Sequence, residues 1–185
     1  MNVCLMCDLH LPVDRNALQH DILNWAIADI KKKGPDCIVY AGDVTCDGDI
    51  NVYQGFILKM NTIGIPFFYI PGNSDLRNFD SANEIRKMAS NCKNAVAGGV
   101  VYALNDCDMG ISDEQLSIIE DADENSIVFM HHPFGGHKGE TNEKLKTWRK
   151  KHSKTMLFYG HRHLSFAEGY DVCLQALDPD KAIGE

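Results

Sequence analysis

The chain of 185 residues has no run of eighteen apolar residues, which excludes a helical membrane span. No basic leader precedes the short apolar run from Val3 to Met6, and no signal peptide is expected. No linker, low-complexity tract or internal repeat interrupts it, and a single domain over 1–185 is expected. Positive charge is scarce. Eighteen Lys and Arg face 26 Asp and Glu, a net charge of −8, with no basic stripe. That balance disfavours binding to a nucleic-acid backbone and suits a protein that hides cations in its site. Paired cysteines are also lacking. The seven cysteines are odd in number and scattered, which fits free thiols in a reducing, cytoplasmic setting better than a disulfide scaffold. Cys4 and Cys7 match C-x-x-C, but residues three apart on a strand face opposite sides and cannot clip a metal.

What is present is an ordinary globular composition, 44% hydrophobic and 24% charged, in a chain long enough for a proper core. Cys37-Ile38-Val39-Tyr40-Ala41 runs into Gly42-Asp43 and reads as a buried parallel strand. Before it, residues 2–7 form a first strand. Asp14 is placed to cap a helix carrying Leu18, Ile22, Trp25, Ala26 and Ile30 at helical spacing, stopped by Gly34-Pro35. Residues 1–43 thus form a right-handed β-α-β unit. A helix over 49–62, a strand over 65–70 and a short helix over 80–91 follow. Gly98-Gly99 marks a hairpin within 95–104. Ser112 and Gln115 make a capping box for a helix over 112–122. Strands at 126–130 and 155–159 flank a glycine-rich, mobile loop at 134–139 and a helix at 140–152. A last strand is expected within 171–177.

Five of the apolar runs end in residues that bind metals through oxygen or nitrogen: Asp8 and His10, Asp43, Asn73, His131, and His161 with His163. If the strands are parallel neighbours, all seven groups meet on one sheet edge, where open α/β sheets bind ligands. Singly, Asp8, Asp43 and Asn73 are ordinary turn formers; in register with four histidines they form a constellation. Two carboxylates, one amide, four imidazoles and no thiolate suit Mn, Fe, Co, Ni or Zn. Seven ligands are too many for one catalytic ion with an open position, and suit two ions sharing a carboxylate.

Asp8-x-His10, Gly42-Asp43, Gly72-Asn73, His131 and Gly160-His161-x-His163 resemble the five motifs of the calcineurin-like metallophosphoesterases, in family order over residues 8–163. The resemblance implies an α/β fold, a two-sheet β-sandwich flanked by helices, and hydrolysis of phosphomonoesters or phosphodiesters. It implies two divalent metal ions, with Asp8, His10 and His163 on the first, Asn73, His131 and His161 on the second, and Asp43 bridging. It implies a phosphate-ester small molecule as substrate, and it places His131 rather than His132 among the ligands.

One motif departs from the pattern. Where the family has Gly-Asn-His and an acid, this chain has Gly72-Asn73-Ser74-Asp75. The absent histidine is the one that would bind phosphate and protonate the leaving group, and a serine hydroxyl is too weak an acid to replace it. Three consequences stay open. His137 in the glycine-rich loop could take the role. The substrates could have good leaving groups, such as phosphoanhydrides. Or the chain could be a catalytically silent scaffold that binds metal and phosphate. Arg77 could contact phosphate or lie solvated at the surface. Arg162 alternates away from its flanking histidines. His20 and His152 read as surface residues, and Cys46 as a packed thiol.

Overall fold

The computed structural model describes residues 1–182. Two sheets pack face to face. The first holds β1 (Val3–Met6), β2 (Cys37–Ala41) and β3 (Phe67–Ile70), all parallel, in the order β1-β2-β3. The second is mixed, in the order β4-β5-β6-β7-β9-β8: β4 (Lys93–Val96), β5 (Gly99–Ala103), β6 (Ser126–Met130), β7 (Met156–Tyr159), β8 (Phe166–Glu168) and β9 (Asp171–Cys173). Within it β5, β6, β7 and β9 run parallel, and the hairpin at Gly98-Gly99 brings β4 back antiparallel.

Strand alternation divides the core. On β2, Cys37, Val39 and Ala41 face the second sheet and meet Val101, Ala103, Phe129 and Phe158. Ile38 and Tyr40 face the other way, onto α1 (Leu18–Lys33) and α2 (Ile50–Asn61). The outer face of the second sheet buries Tyr102, Val128 and Leu157 under α4 (Asp113–Ile119) and α5 (Gly139–Lys151). The result is helices, sheet, sheet, helices, with every strand of the first sheet sandwiched. Cys4 and Cys7 lie in different parts of this core, as their opposite faces require.

The helix signals act where the chemistry is local. Gly34 ends α1 in the left-handed conformation, its N–H donating to the Ile30 carbonyl. The Ser112–Gln115 capping box forms at α4. Asp49 caps α2 by accepting from the amides of Asn51 and Val52. Asp14 does not cap α1. Its carboxylate accepts from Asn16 N, an Asx turn, and the helix begins four residues later behind Ala17. Nor do all the spaced apolar residues of α1 point inward: Leu23, Ala26, Ile27 and Ile30 are buried, whereas Leu18 and Trp25 are exposed. The short helix α3 is Phe79–Lys87, and the final strand stops at Cys173 after an unforeseen partner, β8. Among the described residues no helix is long and apolar enough to cross a membrane.

Candidate metal centre

The five ligand-bearing ends do not share one sheet edge. Three belong to the first sheet and two to the second. They meet because the carboxyl ends of both sheets open on the same side, and backbone contacts stitch them there. His161 N donates to the Asp8 carboxylate at 3.0 Å, and His131 Nδ1 lies 2.9 Å from the Ala41 carbonyl.

Backbone strain marks the same residues. Six non-glycine residues among those described have positive φ, and five of them are Asp8, His10, Asp43, His161 and His163. A left-handed residue with a Cβ costs on the order of 1–3 kcal/mol and persists where the surroundings over-determine it. Here all five are candidate ligands that follow the carboxyl end of a strand. The glycines of the motifs have a steric role. A Cβ on Gly72 would strike the carboxylate and amide of Asp43, and one on Gly160 would lie 2.6 Å from Asp8 Oδ2.

The side chains form two adjoining clusters. In the first, Asp8, His10, Asp43 and His163 each place a ligand atom within 4.8 Å of the others. His10 Nε2 lies 3.4 Å from His163 Nε2 and 3.7 Å from Asp43 Oδ2. In the second, His131, His132 and His161 are similarly close. Asn73 Oδ1 lies 3.0 Å from His131 Nε2 and 2.8 Å from His161 Nδ1. Asp43 Oδ1 stands 3.4 Å from His131 Nε2, so Asp43 reaches both clusters.

Outer contacts decide which nitrogens are bare. The Ser74 hydroxyl gives its only proton to the Thr45 carbonyl at 2.6 Å, so it can only accept from His10 Nδ1 at 3.4 Å. That leaves His10 Nε2 as a lone pair facing the cluster. His131 Nδ1 is likewise spent on Ala41 O, and His132 Nδ1 on Asp106 O at 3.0 Å. Lone pairs of imidazoles and carboxylates converge with few protons between them. This donor set fits a cation in each cluster.

The electrostatics agree at His10. Burial lowers the His10 imidazole to about 4, which keeps it neutral. Burial works against the charge of Asp43, yet the facing His131 imidazole and the Ser74 amide hold it below the ordinary carboxylate value, and Asp43 in turn raises His131 against its own burial. Asp75 sits underneath, fully buried, accepting from Val44 N, Thr45 N, Thr45 Oγ1 and Gly72 N. Burial, with Asp43 beside it, raises Asp75 to about 7. Its four donors pin the Asp43 turn to the Asn73 turn.

One sequence expectation changes, and two open questions gain a location. His137 does not stand at the ligand clusters in a loose loop. It is buried, with Nε2 2.9 Å from Asp106 Oδ2. Arg77 donates to the Cys46 carbonyl at 2.6 Å from an exposed position. Ser74, fully buried, points down to Thr45 and His10 rather than out toward a substrate. Away from the site, His20 and His152 are half-buried, each with a ring nitrogen on a backbone carbonyl.

The residue that motif reasoning passed over is Asp106. One carboxylate oxygen accepts from His131 N at 2.8 Å and the other from His132 N at 2.9 Å and from His137. Burial opposes its charge, but the hydrogen bonds from His132 and His137 hold its carboxyl well below the usual range. It follows the apolar run of β5 just as Asp43 follows β2, so the same signal could have found it. The ring of His132, which the resemblance leaves outside the ligand set, lies 4.8 Å from that of His161.

The calcineurin-like phosphoesterase family model matches residues 1–165. The chain belongs to the calcineurin-like phosphoesterase family. Among similar proteins is one named a probable cyclic nucleotide phosphodiesterase from Pseudoalteromonas sp. strain SM9913, 25% identical over 92% of this chain and 74% of that protein. Another of that name, from Xenorhabdus bovienii, is 26% identical over 71% of this chain and 63% of its own. A metallophosphoesterase from Helicobacter pylori is 20% identical over 88% of this chain, which spans 44% of its length. In structure, a dimetal phosphatase from Danio rerio superposes with a TM-score of 0.72 at 13% identity, covering 96% of this chain and 88% of that one. The fold is thus the mixed α/β two-sheet architecture of the dimetal phosphatases. The family implies divalent metal ions, for which the two clusters offer ligands.

Proposed function

We propose that this chain is a dinuclear metal-dependent hydrolase of phosphate esters or anhydrides in small molecules. The observation that carries this reading is the convergence of two donor clusters on one shared carboxylate, Asp43. Asp8, His10, Asp43 and His163 would hold one ion. Asp43, Asn73, His131 and His161 would hold the second. Such ions, when bound, supply a hydroxide nucleophile near neutral pH and neutralise charge on phosphorus. The protein's own part is positional. Ser74 and Ala41 fix the imidazole tautomers, the strained turns aim the ligands, and Asp106 anchors His131 and His132. Proton donation to the leaving group is not served by Ser74, whose hydroxyl is turned inward. That favours substrates whose leaving group departs as an anion. It also supports a rival reading, a metal- and phosphate-binding scaffold with little turnover.

The test is metal content and turnover together. Protein reconstituted with manganese should carry nearly two equivalents and hydrolyse bis(p-nitrophenyl) phosphate or p-nitrophenyl phosphate, and Asp43→Asn should lose both. Two equivalents without turnover on any activated ester would favour the scaffold. No metal after reconstitution would sink both readings.

A further inference from the structure

A cavity of about 410 Å³ opens beside the second cluster, with Asn73 and His161 forming its inner wall. Its outer wall comes from Cys107, Asp108 and Met109 after β5, and from Lys138 ahead of α5. The two outer segments are tied together, since Lys138 N donates to the Met109 carbonyl at 3.0 Å. Met109 is the one residue with positive φ, among the described non-glycine residues, that is not a candidate ligand. Strain of that kind gathers where a binding surface is shaped. The charges are uneven. Asp108 is neutralised by Arg86 through two contacts of 2.8 and 2.9 Å. Lys138 lines the cavity as its only Lys or Arg side chain, and among the described residues it has no carboxylate within ion-pair distance.

The cavity therefore pairs a wall of candidate metal ligands with one exposed cation, Lys138, that no carboxylate among the described residues holds in an ion pair. We infer that it is an anion subsite for the leaving group, in which Lys138 pairs with a second phosphate of a phosphoanhydride substrate. The inference rests on the hydrolase reading for its chemistry, though not for its binding. Hydroxide oxygen bonds to the terminal phosphorus of a nucleoside diphosphate. The bond from that phosphorus to the bridging oxygen breaks, and its electron pair stays on the departing nucleoside monophosphate. The proton of the attacking water passes to solvent. A phosphate leaving group ionises near pH 6, so it departs without a proton donor. The inward-turned Ser74 and the free Lys138 are thus two sides of one specificity. A leaving alkoxide would need the acid that is absent, whereas a leaving phosphate needs the cation that is present.

Binding and turnover test this separately, on the full chain loaded with manganese. By calorimetry, α,β-methylene-ADP should bind about tenfold tighter than AMP. Lys138→Gln should erase that preference and Lys138→Arg should keep most of it. A preference that survives in Lys138→Gln, or is absent from the wild type, overturns the subsite. In turnover, the ratio of kcat/KM for ADP over that for bis(p-nitrophenyl) phosphate should fall about tenfold in Lys138→Gln. An unchanged ratio overturns the proposal as well. If neither compound is hydrolysed but the binding preference depends on Lys138, the subsite stands and the hydrolase reading has failed.

Discussion

His10 Nε2 and His163 Nε2 face each other across 3.4 Å. His10 has its proton on the far nitrogen, toward Ser74, and the carboxylates of Asp8 and Asp43 close the same space. Without a cation this is a knot of acceptors, and with one it is a ligand cage. Metal binding should therefore stabilise the fold. At a free concentration one hundred times the dissociation constant, linkage contributes about 2.7 kcal/mol. For a chain of this size that raises Tm by roughly 5–10 °C. Manganese titrated into chelator-treated protein should show this shift in calorimetry, and His10→Gln should abolish most of it. An identical Tm with and without metal would refute the cage.

Ser74 gives the second prediction. Sequence comparison with the family motif suggests restoring the missing acid by Ser74→His. The structure argues against that repair. Ser74 is fully buried, and its hydroxyl joins Thr45 O to His10 Nδ1. An imidazole there has no route to a substrate and should destabilise the core by about 1–3 kcal/mol, as overpacking does. Ser74→Ala is the sharper probe. It removes the acceptor that sets the His10 tautomer, and losses of this kind weaken metal binding about 10–100-fold. Equilibrium dialysis would read it. Unchanged affinity in Ser74→Ala would show that the tautomer is fixed elsewhere.

The candidate ligand residues were legible because they ride on the simplest signal in the chain. Buried parallel strands read as continuous apolar runs, and a polar residue at the end of one stands out. That located Asp8, Asp43, Asn73, His131 and His161 without any knowledge of pairing. Which strands pair was not legible, because an apolar run does not name its neighbour. A single edge was the natural reading, yet β3 and β6, which lead into Asn73 and His131, lie in different sheets. Trp25 shows the limit of helical spacing: it shares the period of Ala26 and Ile30 but falls outside the stripe against β2. His137 and Arg77 sit close in sequence to the motifs, but their partners, Asp106 and the Cys46 carbonyl, are 31 residues away in each case. Contacts of that range are set by the assembled fold.

Gly72 tests the packing of the centre without replacing a candidate ligand. A Cβ there would meet the backbone amide and carboxylate of Asp43. A backbone amide cannot swing aside as a flexible side chain can. Gly72→Ala should displace Asp43 and cost about 1–3 kcal/mol in denaturant unfolding, with metal content falling below one equivalent. Gly110→Ala is a suitable control, since a Cβ there meets nothing within 4 Å. Equal behaviour of the two variants would deny that the close approach matters.

Asp106 carries the pH prediction. It is fully buried, and both its oxygens are taken up by His131 N, His132 N and His137. Its carboxyl titrates well below the usual range in the folded protein, because hydrogen bonds from His132 and His137 outweigh the cost of burial. In the unfolded chain it returns to about 3.9. A group depressed on folding adds stability that is fully present above its unfolded pKa and is lost as pH falls toward its folded one. Metal-free protein should therefore lose stability below about pH 4 on this account, on top of any other carboxylates that titrate there. Asp106→Asn keeps the shape but gives up the charge and turns one acceptor into a donor facing an N–H. It should cost on the order of 3 kcal/mol at pH 7, the scale for breaking a buried charged network. Its denaturant midpoint should change less than that of the wild type between pH 5 and pH 3. If the two acid limbs run parallel, Asp106 is not the charged anchor of the His131–His132 turn.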